Sequence, residues 1–188
     1  MVFIAPIVEG HGEQEAVPIL LRRIALHANA RQIPRINAPI RVKSGSFLNN
    51  ELYFTSYVGM AANKAAQENG TVLILLDCDD DCPALLGPSL LARAKAVRGD
   101  VGYIVALAYR EFETWFIAAI ESLNAGSEPP REIEGIRNAK GWLGEKMGIS
   151  YDPITHQHQF TRTFDLDLAQ QSDSFKRLYL KICGMMEG

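Results

Sequence analysis

Carboxylates stand at the ends of three short apolar runs in this chain. The run 2–8 leads into Glu9-Gly10, and the run 72–76 leads into Asp77-Cys78-Asp79-Asp80-Asp81. The run 101–108 ends close to Glu111 and Glu113. Apolar stretches of this length, each followed by a helix-like segment, have the pattern of buried parallel strands. In open parallel sheets, ligands bind outside the carboxyl ends of the strands. Three strands would then carry acidic groups to one edge, where their repulsion calls for a hard cation with oxygen ligands. The expected chemistry is a Mg²⁺ or Mn²⁺ site that handles phosphate.

Each element has its own alternatives. Glu9 can face a metal, act as a general base, or cap the next helix. The Gly10-His11-Gly12 turn lets backbone approach a phosphate closely, with His11 as a further contact. It is not the dinucleotide fingerprint, because the third glycine position is Glu15. The cluster from Asp77 to Asp81 is the densest signal, and Asp77, Asp79 and Asp81 would share one side if the strand stayed extended. An EF-hand is excluded, since Cys82 and Pro88 fall where its glycine and bidentate glutamate belong. Glu111 and Glu113 open a helix, where the dipole alone would favour them, but either can also reach the strand ends. Arg110 is a candidate phosphate contact, as is Lys140. Cys78 and Cys82 lack a further zinc pair nearby, and His156 and His158 would share a face only on a strand. Neither a Walker phosphate loop nor a nucleophile elbow is present.

The elements that must position these groups follow from the same sequence. Strands are expected at the first run, at 40–43, at 71–76 and at 102–108. Helices are expected at 13–30, 57–68, 88–97, 112–123 and 172–183, with a Gly/Ser/Asn loop through Asn50 and a linker at 124–131. The alternation implies an α/β layered domain with a helical tail. The expected organisation is a core at 1–125 and a C-terminal helical extension at 126–188 packed on it, forming one compact domain.

With 188 residues, 47% hydrophobic and 22% charged, the chain can bury a core. Its net charge of −3 argues against a basic nucleic-acid coat protein, although not against an enzyme that acts on nucleic acid. No apolar run approaches the ~20 residues of a membrane span. No basic segment precedes the first strand, so no signal peptide is expected. Three cysteines do not make a disulfide framework, and the expectation is a reduced, cytoplasmic protein.

The motifs Val8-Glu9-Gly10, Glu13, Asp77-Cys78-Asp79-Asp80 and Glu111-Phe112-Glu113 together resemble the Toprim-like domain-of-unknown-function family numbered 4276. Ser174-Phe175-Lys176-Arg177-Leu178 resembles that family's closing helix, so the likeness spans nearly the whole chain. It implies a Toprim-like, Rossmann-like, mostly parallel four-stranded sheet with helices on both faces. It relates the chain to the nucleases of the overcoming-lysogenisation-defect class. By that resemblance, Glu9 is the general acid/base and Asp77 with Asp79 holds Mg²⁺, with Asp81, Glu111 and Glu113 as extra ligands or as residues supporting the ligands from behind. The implied substrate is nucleic acid, DNA before RNA, with an ATPase partner and a role in bacterial defence against phage. Two other functions remain open: a phosphatase of the haloacid-dehalogenase type with Asp77 as nucleophile and Asp79 as acid/base, and a non-catalytic subunit of an ATPase complex.

Overall fold

A computed structural model describes residues 2–187. Its centre is a parallel sheet. β1 (Phe3–Val8) lies beside β4 (Thr71–Asp77), and β4 lies beside β5 (Gly102–Ala108). On the other flank of β1, two short pieces, β2 (Arg35–Ile36) and β3 (Ile40–Arg41), pair one after the other along the same strand. One continuous second strand over 40–43 was the expectation. The segment is instead interrupted at Asn37-Ala38-Pro39, where Pro39 has no N–H to give a ladder. The sheet therefore has five strands occupying four positions.

Alternation along the strands divides the interior in two. Ile4, Val8, Leu73, Leu75, Ala106 and Ala108 face one side, under α1 (His11–His27) and the C-terminal helices. Ala5, Ile7, Val72, Ile74, Leu76 and Val105 face the other. That second side is covered by α3 (Glu51–Gln67) and α4 (Pro83–Val97). Every residue of β1 is buried, as a central parallel strand requires.

Several helix boundaries differ from the expected ones for local reasons. The loop expected through Asn50 contains a short helix, α2 (Ser44–Asn49), and α3 starts at Glu51, well before Tyr57. Asn50 makes both possible, since its side chain caps α3 by accepting from the Tyr53 N–H at 3.0 Å. α4 starts a turn early because Pro83 occupies its first position. The helix expected at 112–123 is two pieces, α5 (Thr114–Ala118) and α6 (Ile120–Leu123), broken at Ala119.

After a 3₁₀ turn at Ile133–Gly135 come α7 (Ala139–Met147), α8 (Pro153–Thr163), α9 (Leu166–Ala169) and α10 (Asp173–Glu187). The polar His156–Gln159 stretch lies within α8, so His156 and His158 do not share a strand face. α8 is started by Asp152, which accepts from the Thr155 N–H, and by Pro153. Phe160, Phe164, Phe175, Leu178 and Ile182 from these C-terminal helices enter the same core as α1 and the sheet. Among the described residues, no helix is long and apolar enough to cross a membrane.

α1 and α8 touch at a point that only glycine allows. A Cβ at Gly12 would lie 2.2 Å from Gln157 Oε1 and 2.3 Å from the Pro153 carbonyl oxygen. Gly12→Ala should therefore destabilise the protein by about 1–3 kcal/mol through overpacking, in spite of alanine's better helix propensity. Gly59→Ala, where a Cβ meets nothing within 4 Å, should instead be neutral or stabilising by up to about 1 kcal/mol. Thermal unfolding of the two variants beside the parent checks the contrast.

Candidate active site

The parallel register aligns the strand ends as expected: Asp77 closes β4 opposite Ala108 of β5, and Glu9 follows the last residue of β1. Around them sits a group of carboxylates. Glu9 Oε1 accepts from Ser44 Oγ at 2.5 Å, while its Oε2 is buried without a hydrogen-bond partner. Asp77 Oδ1 accepts from the Phe112 N–H at 2.8 Å. Glu113 is fully buried, and its Oε1 accepts from Tyr151 Oη at 3.1 Å and Gln157 Nε2 at 2.9 Å. Lys140 Nζ lies 2.6 Å from Glu111 Oε2 and 3.3 Å from Glu113 Oε2. The second contact is an ion pair without hydrogen-bond geometry, so Glu113 Oε2 is also unsatisfied.

Glu13, one of the motif residues of the family resemblance, belongs to this group. It is 3% exposed, and its Oε2 accepts from the Glu9 N–H at 3.0 Å. The bond is like the backward half of a capping box, made by the glutamate at the third position of α1, but it reaches the residue before the N-cap Gly10. It also alters the expected role of Gly10-His11-Gly12. The start of α1 already has a carboxylate bound to it, Gly12 is buried beneath α8, and a Cβ at Gly10 would press on Glu13 Oε1 at 3.0 Å. His11 is exposed at the first position of the helix. These two glycines serve packing and capping here, and Gly12 has no open surface to offer a phosphate.

The crowding shows in the ionisation of the group. Burial raises the Glu9 carboxyl above its usual range, and the Asp79 charge adds to this, against the stabilising bond from Ser44. Glu13 is pushed up to about 7, first by burial and then by the charges of Glu113 and Glu9, although main-chain bonds at Glu9 and Gly10 pull it down. Asp77 keeps some surface of its own yet lies deep among protein atoms. Burial raises it well above the ordinary value, and Glu13 and Glu113 push the same way. Lys140 is moved the opposite way. Burial works against its charge, but Glu113, the bond to Glu111 and Asp77 outweigh it and hold the ammonium.

The acidic run itself is split by its turn. Asp77 is the last extended residue, and Asp79 adopts a left-handed conformation (φ 45°), as does Arg110 across from it (φ 63°). The Asp79 N–H donates to the Arg110 carbonyl at 3.1 Å. Asp77, Asp79 and Asp81 therefore do not line one side, as continued extension would have required. Asp79 is exposed but near enough to act on Glu9. Asp80 turns away and pairs with Arg110 and Arg137, which hold its carboxyl below the usual range. Asp81 is exposed, with its N–H bonded back to Cys78. Arg110 is thus committed to Asp80 and the Glu134 carbonyl (Nε to O, 3.3 Å), which fixes the turn.

Among the described residues, no three His, Cys, Asp or Glu side chains already form a group that could hold a metal ion. The six-carboxylate set expected from sequence divides accordingly. Glu111 and Glu113 are bound to Lys140, Tyr151 and Gln157, and Asp81 is remote from them in the turn. Glu9, Asp77 and Asp79 remain as the set with uncommitted oxygens. The buried, unpartnered Glu9 Oε2 is a donor suited to a hard cation, so the residues present fit a divalent ion. Cys78, Cys82 and Cys183 are free thiols. His156 Nδ1 lies against the Asp152 main chain and His158 beside Glu15.

The fold and site together define a parallel α/β protein with a carboxylate cluster at the carboxyl edge of its sheet. The chain belongs to the family described as Domain of unknown function (DUF4276), which it matches over residues 8–182. No curated protein matches it. Among solved structures it is similar to the C-terminal region of the Burkholderia pseudomallei OLD protein, at 14% identity and a TM-score of 0.40, covering 98% of each chain.

The sign of the site's pH dependence follows from Glu13. Its pKa is about 7 in the folded protein against an ordinary 4.5, so the folded state binds the proton more tightly. Stability should fall as pH rises from about 4.5 to 7 and then level off, by an amount on the order of a few kcal/mol. Asp77 contributes in the same direction. The metal-free protein should therefore melt higher at pH 5 than at pH 8. Glu13→Gln, which keeps an acceptor for the Glu9 N–H, should flatten that dependence in thermal unfolding scans. Lys140→Met should lower the melting temperature at pH 8, at a cost of about 1–3 kcal/mol for leaving Glu113 buried without its cation.

Proposed function

We propose that this protein is a divalent-cation-dependent phosphodiesterase acting on nucleic acid, a nuclease, with DNA as the first substrate to test. The observation that carries the proposal is the buried, unpartnered Oε2 of Glu9, at a strand end beside Asp77 and within reach of the Asp79 charge. Asp77 and Asp79 would hold Mg²⁺ or Mn²⁺, and Glu9 beside them would take the proton of a water bound to that ion through its free Oε2. When bound, the ion would polarise a phosphoryl oxygen and lower the pKa of a bound water.

The chain's own groups supply the rest. Glu9 is the proton carrier, because burial shifts its carboxyl upward, the direction required of an acid/base working at neutral pH. Ser44 orients that carboxyl through Oε1 and leaves Oε2 to act. Lys140 neutralises Glu111 and Glu113 behind the site, and Tyr151 and Gln157 hold Glu113 in place. Asp77 is a poor candidate for the nucleophile of a phosphatase. That role would need one oxygen for attack and the other for the cation, and Oδ1 is already bonded to the Phe112 N–H at 2.8 Å. An ATP-hydrolysing partner and a role in defence against phage belong to the same proposal, carried by the family resemblance.

The test is cleavage of plasmid and single-stranded DNA with Mg²⁺ or Mn²⁺ by the parent, Glu9→Gln and Asp77→Asn, with unfolding followed in parallel. The expected result is metal-dependent cleavage, reduced about 100-fold or more in each variant, with the fold retained. A parent that neither cleaves nor is stabilised by either cation would overturn the proposal. A parent stabilised by cation, but inert on DNA and RNA, would reduce it to a metal-binding subunit.

A further inference from the structure

The far edge of the sheet carries a second feature, unconnected with the carboxylates. β5 is the last strand, with β4 on one side and, among the described residues, no strand on the other. In a parallel ladder, the N–H and C=O of one residue point to the same neighbour and those of the next residue point away. The Cys78 N–H donates to the Ala108 carbonyl, and Lys181 Nζ donates to the Val105 carbonyl from outside at 2.7 Å. These two bonds fix the phase. Ala108, Ala106 and Ile104 face β4, and Leu107, Val105 and Tyr103 present their amides and carbonyls outward. Among the described residues, only the Val105 carbonyl of those outward groups has a partner.

The edge is the floor of a groove of about 740 Å³. One wall is α4, through Pro83, Ala84, Gly87 and Leu91, and the other is α10, through Leu178 and Met185. Val105 and Leu107 are only 6% and 9% exposed, so the edge lies between the helices rather than on a flat surface. Arg177 and Lys181 stand on the α10 rim, and neither makes a salt bridge among the described residues. The acids on the rim, Glu134 and Asp173, sit at the start of α10, where Glu134 already accepts from Ser172 and Ser174.

We propose that the outer edge of β5 takes one extended peptide segment of a partner protein, which adds a strand to the sheet and sets a carboxylate side chain against Arg177 and Lys181. Unpaired strand edges are templates for such addition, with main-chain bonds for affinity and alternate side chains for specificity. The outward groups of Tyr103, Val105 and Leu107 supply the bonds. The α4 wall is apolar and receives every second side chain. Lys181 serves as a removable cover: a carboxylate on the incoming strand draws its ammonium off the Val105 carbonyl. A second copy fits less well. A two-fold pairing centred near Val105 would bring both Lys181 ammoniums together, and a neighbouring strand must come within about 4.8 Å of an edge walled by helices.

The probe is a labelled nonapeptide of alternating valine and threonine with a central glutamate, followed by fluorescence anisotropy and by amide hydrogen exchange of the full-length protein. The expected result is saturable binding, with slowed exchange at Tyr103, Val105 and Leu107. Affinity should drop tenfold or more in the Arg177→Glu/Lys181→Glu variant, and likewise when the central glutamate is replaced by lysine. Absence of binding at millimolar peptide, or binding unchanged by both charge reversals, overturns the proposal. Protection of those same amides on dimerisation without peptide also overturns it, in favour of a second copy.

Discussion

Charge crowding at the carboxyl edge of the sheet is the constraint around which the rest of this structure is arranged. Glu9, Asp77, Glu111 and Glu113 lie about the ammonium of Lys140 with Glu13 next to them, and Oε2 of Glu9 and of Glu113 are buried without a hydrogen-bond partner among the described residues. Buried charges need partners or protons, and the molecule uses both. Glu111 and Glu113 have Lys140, while Glu13 and Asp77 shift toward their protonated forms. A surplus of negative charge held in low dielectric costs stability unless something positive binds, and that cost is what makes a cation-binding role physically sensible.

The C-terminal helices are part of this arrangement. Lys140 comes from α7, Gln157 from α8, and Tyr151 from the link between them, all converging on carboxylates of the strand and loop region. Gln157 reaches Glu113 because α8 comes down directly on Gly12, where a side chain would hold the helices apart. A backbone requirement in α1 thus sets the position of a polar group that holds an acid on a different element. The same α1 turns the Glu13 carboxyl back over its own start, where it accepts from the Glu9 N–H.

The two edges of the sheet are treated differently. On the β1 side, the edge is broken into two-residue pieces around Pro39, which leaves little ladder to extend. On the β5 side, a full strand is left open between two helices, with a lysine over one carbonyl. Beyond the ends of β4 and β5, the paired left-handed residues Asp79 and Arg110 and the Asp80 ion pairs set the direction of the chain as it leaves the sheet.

Much of the framework was legible in the chain itself. The apolar runs at 72–76 and 102–108, their acidic ends and the helices between them follow from periodicity and from the short range of strand and helix signals. That Glu9 and Asp77 stand at neighbouring strand ends was also legible, because parallel strand order places carboxyl ends on one edge regardless of detail. Asp81 leaves the line of Asp77 because a left-handed turn at Asp79 breaks the alternation of an extended strand, and Arg110 is taken up by Asp80 and the Glu134 carbonyl. Glu13 was marked only through the family resemblance, and Ser44, Tyr151 and Gln157 carried no signal of their own. A glutamate near a helix start and a glutamine in a polar stretch are ordinary locally, and become site residues only through contacts made far along the chain. Local sequence determined which residues are acidic and which segments are strands. Tertiary packing decided which acids face one another and which meet a cation or lose their water, because burial and Coulomb energy depend on distance in space.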